Sequence, residues 1–319
     1  MRALTRARSA VVAAAVIAAA CAACSSSPAS QSGSTGGRSA GAGYPVTVTT
    51  AAGKVHLASR PDAIVSLAAT ATEMLYAIGA GSQVKAVDSL SDYPPGAPMT
   101  KLSGYQPNAE AIAAYKPDLV VLSNNLDGIT AKLTALSIPV LDLPAATNLP
   151  GVYAEFTELG AATGHGAQAR TEDQKIRTDV AAIIASEPKH TAPLTYYYEL
   201  GANPYYSVTD STFIGSLLAL LGMKSIADAA TGAAAAGGYP ELSPEFILKA
   251  NPDYILLSDT GSNGGQDATA VAARPGWSAL TAVEDKHVIA LNADIASRWG
   301  PRIVQLLQTV AAQVKSGSS

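Results

Sequence analysis

The chain has 319 residues, 48% of them hydrophobic and 14% charged, with a formal net charge of −4. That length suffices for two domains of ordinary size, and the apolar content is that of a globular chain. An acidic, weakly charged body argues against a nucleic-acid partner.

Arg2, Arg6 and Arg8 open the chain and precede an apolar Ala/Val/Ile run from Ser9 to Ala20. The run is too short to span a bilayer and reads as a secretory signal peptide over residues 1–23. Its removal takes away three arginines and no acid, so the mature body is more acidic still. Cys21 and Cys24 close the run and are the only cysteines. A disulfide between them would staple nothing in a segment destined for removal. Small residues before a Cys, with Ser25-Ser26-Ser27 behind it, resemble a bacterial lipoprotein signal. Lipidation of Cys24 is therefore expected, with Cys21 the alternative. Residues 24–43 are rich in Ser, Gly and Ala and form a flexible tether with a reach of roughly 25 Å.

Beyond the tether, apolar runs at 63–67, 84–87, 119–122 and 140–143 alternate with helical patterns at 71–78, 108–115 and 129–136. Strand alternating with helix predicts a parallel sheet and an N-terminal lobe over residues 44–147. Residues 148–189 form a helical connector. Val152, Phe156 and Leu159 suit one helix, interrupted at Gly164-His165-Gly166. Ile176, Val180 and Ile183 then mark a second helix over 167–186. Twenty helical residues are about 30 Å long, enough for a rod spanning two lobes, so only small closure motions are expected. Residues 190–319 repeat the lobe scheme, with strands at 194–200, 254–257 and 288–291 and helices at 212–221, 244–250 and 299–314.

The two halves share more than a scheme. Residues 110–123 are matched about 135 positions later by residues 245–258. Each copy runs from a glutamate (Glu110, Glu245) through Pro-Asp (Pro117-Asp118, Pro252-Asp253) into an apolar strand and a serine (Ser123, Ser258). Helices ending at Gly79 and Gly222 precede both. A duplicated unit predicts two similar lobes with a cleft between them.

No catalytic or metal constellation is evident. His56, His165, His190 and His287 are scattered, with no pair at metal-ligand spacing. No Gly-x-Ser-x-Gly elbow or P-loop occurs. Gly79-Ala80-Gly81 follows a helix and precedes a strand, which makes it a helix C-cap and not a dinucleotide loop. What remains suits binding. Tyr93, Tyr105, Tyr205, Tyr206, Tyr239 and Trp299 fall at predicted strand-to-helix junctions, where open parallel sheets bind ligands. Asp294 and Arg298 share that rim, either to hold a polar ligand group or to pair with one another. Glu110 and Glu245 stand in the first helical turn after the N-caps Asn108 and Ser243, where a carboxylate favours the helix dipole. A matched pair of exposed acids would equally serve a two-fold partner with basic pockets.

The order Ile64 to Gly79, Ser91-Asp92-Tyr93-Pro94-Pro95, Asn108-x-Glu110-x-Ile112 and Lys116 to Val121 resembles the substrate-binding proteins of ABC importers. The branch is the one for iron-siderophore complexes and vitamin B12, and the likeness covers nearly all of residues 60–315. It implies an α/β fold of two Rossmann-like lobes with parallel sheets joined by a long helical connector. It also implies a ligand in the cleft and one acid per lobe, Glu110 and Glu245, docking on arginines of the permease. In vitamin B12-binding members aromatic residues of both lobes hold the corrin. Tyr105 and Tyr239 stand at positions resembling two of those residues, and Asp294-x-x-x-Arg298 resembles their polar pair. Leu90 and Ser123 depart from the pattern, which makes the pocket less apolar, so cobalamin, another corrinoid, a ferric siderophore or haem would suit it.

The expected protein is thus a non-enzymatic, lipid-anchored, extracytoplasmic monomer. It would deliver a bulky metal chelate to an ABC permease and its ATPase, with Tyr105, Tyr205, Tyr206, Tyr239, Asp294, Arg298 and Trp299 around the ligand. A secreted hydrolase on the same fold, or an adhesion or signalling module with no transported ligand, is the alternative.

Overall fold

The computed structural model describes residues 43–188, 190–261 and 265–317. Cys21, Cys24, the signal peptide and almost all of the tether lie outside the described residues. The fold opens with an antiparallel hairpin that the sequence pattern did not announce, β1 (Val46–Thr50) and β2 (Gly53–Leu57). The first α/β unit follows: β3 (Ile64–Ser66), α1 (Ala69–Ala77), β4 (Val84–Val87), α2 (Ala109–Ala113), β5 (Leu119–Leu122), α3 (Ile129–Ala135) and β6 (Val140–Asp142). Two connector helices come next, α4 (Leu149–Thr163) and α5 (Gly166–Ala185).

The second unit contains β7 (Leu194–Glu199), β8 (Gly201–Ala202), β9 (Tyr205–Tyr206), α6 (Phe213–Ala219), β10 (Met223–Ser225), β11 (Glu241–Leu242), α7 (Pro244–Ala250) and β12 (Tyr254–Leu257). It closes with α8 (Ala268–Ala272), α9 (Thr281–Glu284), β13 (Val288–Ala290), α10 (Ala293–Ala296) and α11 (Ile303–Gly317).

Two four-stranded sheets carry the architecture, ordered β4-β3-β5-β6 and β10-β7-β12-β13. Every pairing within them is parallel. Numbered within its own half, each sheet runs 2-1-3-4, so the duplication seen in the sequence is a duplication of topology. The edge strand β10 escaped the apolar-run reading because Lys224 is exposed at its centre. The central strands β5 and β12 are buried at all four positions, as strands covered on both faces must be.

The repeated Pro-Asp has a structural reason in both halves. The Asp118 carboxylate accepts the backbone N–H groups of Asp62 (3.0 Å) and Ala63 (2.9 Å), tying the entry of β3 to β5. Asp253 accepts the backbone N–H and the hydroxyl of Thr195, both at 2.7 Å, tying β7 to β12. Gly79 (φ +83°) and Gly222 (φ +74°) end their helices in the left-handed region, where a side chain is strained.

The connector is a helical hairpin. Gly164 (φ +77°) caps α4 in the left-handed conformation, and α5 returns along it. The close crossing is built on small residues, since a Cβ on Gly160 would lie 2.6 Å from that of Ala169. Further along, the Arg177 guanidinium covers the Tyr153 ring at 3.6 Å. The long arm is α5, whose 20 residues extend about 30 Å. Ile176, Val180 and Ile183 are buried along it at the predicted spacing. Its far end meets α11 of the second unit, where Lys315 Nζ reaches Ser186 Oγ at 2.8 Å. No helix among the described residues is long and apolar enough to cross a membrane.

Candidate functional site

A cleft of about 570 Å³ opens between the two units. Its walls are segments that follow strands: Leu67 and Ala68 after β3, Asp88 and Ser89 after β4, Ser123 after β5, Thr260 after β12 and Asn292 after β13. This is the carboxyl edge of both sheets, where an open parallel sheet leaves room for a ligand at the reversal of strand order. Gly104 brings the following loop hard against the first sheet, since a Cβ there would meet the Leu67 carbonyl oxygen at 2.2 Å. That close approach sets Tyr105 at the cleft, 67% exposed.

Of the seven residues expected around the ligand, Tyr105, Asp294, Arg298 and Trp299 line this cleft. Tyr205, Tyr206 and Tyr239 do not. Tyr205 packs on Trp277 at 5.3 Å between ring centroids, with the Arg274 guanidinium 5.3 Å from its own ring. Arg274 is in turn held by Glu199, Nη1 to Oε2 at 2.6 Å. Tyr206 and Tyr239 are exposed but are not part of the cleft wall. An aromatic-lined gap is therefore corrected to a largely polar one with two rings. A junction position fixes where a residue leaves a strand, but these three tyrosines belong to the small β8-β9-β11 sheet and the turn before β11, neither of which contributes to the cleft wall. Tyr196, Tyr197 and Tyr198 of β7 are core residues. Leu90 and Ser123, the two departures from the vitamin B12-binding pattern, both stand in the wall.

Arg298 sits at the base of the cleft and is 9% exposed. Its Nη1 donates to Glu73 Oε1 at 3.1 Å. Its Nη2 donates to the Leu90 carbonyl at 2.9 Å and also meets Asp92 at 2.9 Å and Asp294 at 3.3 Å. The expected pairing of Asp294 with Arg298 is present, and both side chains line the cleft. Arg302 Nε donates to Glu73 Oε2 at 2.8 Å while its guanidinium lies 4.0 Å over the Tyr93 ring. One buried carboxylate in the first unit thus anchors two arginines of the second. Glu73, only 2% exposed, was missed as a functional residue. Its signal was a lone acid inside the apolar stretch Ala71 to Ile78.

Trp299 donates its indole N–H to both oxygens of Glu155 on α4, at 3.1 and 2.9 Å. Burial raises the Glu155 carboxyl to about 8; the Trp299 hydrogen bond opposes this rise and nearby Glu158 adds to it. An acid raised in the fold stabilises it fully below the unfolded value, and that contribution is lost as pH climbs toward the folded one. Stability should therefore fall between about pH 5 and 8, by on the order of 3 kcal/mol from this group. Glu155→Gln keeps an acceptor for the indole and removes the ionisation. Urea unfolding at both pH values should show a flatter dependence in the variant; equal slopes would reject this source of pH sensitivity.

Glu110 and Glu245 are both exposed and occupy the same position of α2 and α7, two residues after a side-chain cap. Asn108 Oδ1 accepts from Ala111 N at 2.7 Å and Ser243 Oγ from Phe246 N at 3.2 Å. Hydrogen bonds from its own backbone N–H and from Ser243 hold the Glu245 carboxyl below the usual range. None of the histidines lines the cleft, and His287 is stacked on Tyr254 at 4.4 Å. Among the described residues no group of three or more His, Cys, Asp or Glu could hold a metal ion.

Two matched parallel sheets, a helical connector and a cleft at their carboxyl edges form a recognisable arrangement, and the Periplasmic binding protein family model matches residues 64–295. This chain belongs to the periplasmic binding protein family. The vitamin B12-binding protein of Pectobacterium atrosepticum is 30% identical over 262 residues, 80% of this chain and 88% of that one. The cobalamin-binding protein of Halobacterium salinarum is 32% identical over 280 residues, 84% of this chain and 73% of that one. Among solved structures, the periplasmic vitamin B12-binding protein BtuF of Vibrio cholerae superposes with a TM-score of 0.66 at 28% identity, covering 81% of this chain and 98% of that one. Each of these relatives of the periplasmic binding protein is named for binding.

Proposed function

We propose that this periplasmic binding protein is tethered outside the cytoplasm by a lipid on Cys24, captures a bulky metal chelate in the cleft, and hands it to an ABC permease. The cleft carries this reading: strand ends from both units converge on one cavity of about 570 Å³, and no His, Cys or Lys stands among its described wall residues. Relatives named for vitamin B12 or cobalamin support the ligand class, and a substrate-binding lipoprotein of Bacillus subtilis, 28% identical over 85% of this chain, supports the anchor. Tyr105 supplies a flat apolar contact at the mouth, and the Trp299 ring, oriented by Glu155, supplies a second. Glu110 and Glu245 dock the loaded protein on its partner.

Thermal-shift screening against cobalamin, cobinamide, haem and ferric siderophores tests the capture, since a ligand that binds the folded state raises the melting temperature by mass action. At least one chelate should give a shift, and Tyr105→Ala should weaken its binding by about 1–3 kcal/mol. No response to any member would favour a module without transported cargo. Turnover in a hydrolase screen would favour the enzyme.

A further inference from the structure

Among the described residues the cleft wall contains three carboxylates, Asp88, Asp92 and Asp294, and one basic residue, Arg298. That arginine is already neutralised, with its Nη1 on Glu73 and its Nη2 amid the Leu90 carbonyl, Asp92 and Asp294. Arg302, the next cation at the base, is committed to the same Glu73. Asp88 is turned inward, accepting from the Ser91 hydroxyl at 2.6 Å. Asp92 and Asp294 differ: their side chains are 50% and 44% exposed, so each keeps carboxylate surface toward the cavity. The remaining polar wall groups are neutral hydroxyls and amides, among them Ser89, Ser123, Asn124, Thr260, Asn292 and Ser297. Such groups hydrogen-bond amides and hydroxyls but offer no counter-charge to a carboxylate or a catecholate oxygen.

We propose that this cleft selects neutral or cationic metal chelates with amide- or hydroxyl-bearing rims and rejects polyanionic ones, with Asp92 and Asp294 as the residues that set the preference. The inference rests on the reading that the cleft captures a chelate, and it narrows the chemistry of that chelate. A ligand carboxylate brought within several ångströms of two carboxylates, with no unpaired cation in the wall, pays a Coulomb penalty in a site walled by protein. At an effective dielectric constant near 20 that penalty amounts to about tenfold or more in affinity for each added negative charge. A cationic chelate gains from the same field, and both effects weaken with salt.

The test uses charge pairs on one scaffold, so that shape is held constant: cyanocobalamin and its monocarboxylic acid, haemin dimethyl ester and haemin, ferrioxamine B and its N-succinyl derivative. Each is titrated against the mature protein by tryptophan fluorescence at low and high salt. For every scaffold that binds, the less negative member should bind about tenfold tighter or more, with a narrower gap at high salt. Asp92→Asn together with Asp294→Asn should reduce the gap to within about threefold. An anionic member that binds as tightly as its partner overturns the charge selection while leaving chelate capture standing. A gap unchanged in the double variant overturns the assignment to Asp92 and Asp294. If no scaffold binds in either form, chelate capture fails and the selection fails with it. Should the double variant not fold, the wild-type pairs and their salt dependence still decide the matter.

Discussion

Glu73→Ala should destabilise the protein by about 3–5 kcal/mol, measured by urea unfolding. The reason is the asymmetry of buried ion pairs: forming one gains little over an apolar contact, but removing one partner leaves the other charged and desolvated. Here a single carboxylate satisfies two arginines, Arg298 and Arg302, whose side chains are only 9% and 13% exposed. Asp92 and Asp294 remain beside Arg298 after the substitution, so Arg302 takes most of the loss. Glu73→Gln, which retains the shape and one acceptor, should cost less. Glu172→Ala supplies the contrast, because the partner it would leave unpaired, Lys175, is 65% exposed and stays solvated, so the loss should cost under about 1 kcal/mol. The carboxylate joins the first unit to the second, so the loss should also loosen the cleft and weaken whatever ligand it takes. A Glu73→Ala protein as stable as the parent would mean that the Glu73 ion pairs add nothing net to the packing of one unit on the other.

Glu110→Ala combined with Glu245→Ala should abolish ligand uptake by cells that rely on this protein, with ligand affinity in solution within about twofold of the parent. Both acids lie in exposed first turns and neither lines the cleft, so the substitutions leave the binding walls intact. Because the two halves share one strand order, the acids occupy equivalent places, as a partner built of two like subunits requires. Among the described residues neither forms an ion pair that would raise the cost of its removal, and the caps Asn108 and Ser243 remain. Single substitutions should give partial uptake, since one contact survives. Loss of ligand affinity in the double variant, or undiminished uptake, would remove these residues from docking.

Much of the fold was legible in the order of residues because it depends on neighbours within a few positions. The apolar run 119–122 became β5 without change, as did 254–257 for β12. Gly79 and Gly222 announced their helix ends, and the twin Pro-Asp motifs announced matched halves. Local patterns said less where side chains alternate or strands are very short: β10, with Lys224 exposed, and the two-residue strands β8, β9 and β11 gave no signal. The connector's break at Gly164 was visible, but not that α5 folds back along α4.

The cleft is a different matter. That two like α/β halves face each other with an acid at the head of each repeat helix follows from the chain alone, through periodicity, capping and repetition. Which rings line the gap does not, and three of the expected tyrosines are not in its wall. Arg298 stands 225 residues from Glu73, and Trp299 stands 144 from Glu155. No periodicity links positions so far apart. Their pairing is fixed by how the second unit packs on the first, where burial makes an unpaired charge too costly to leave unmatched.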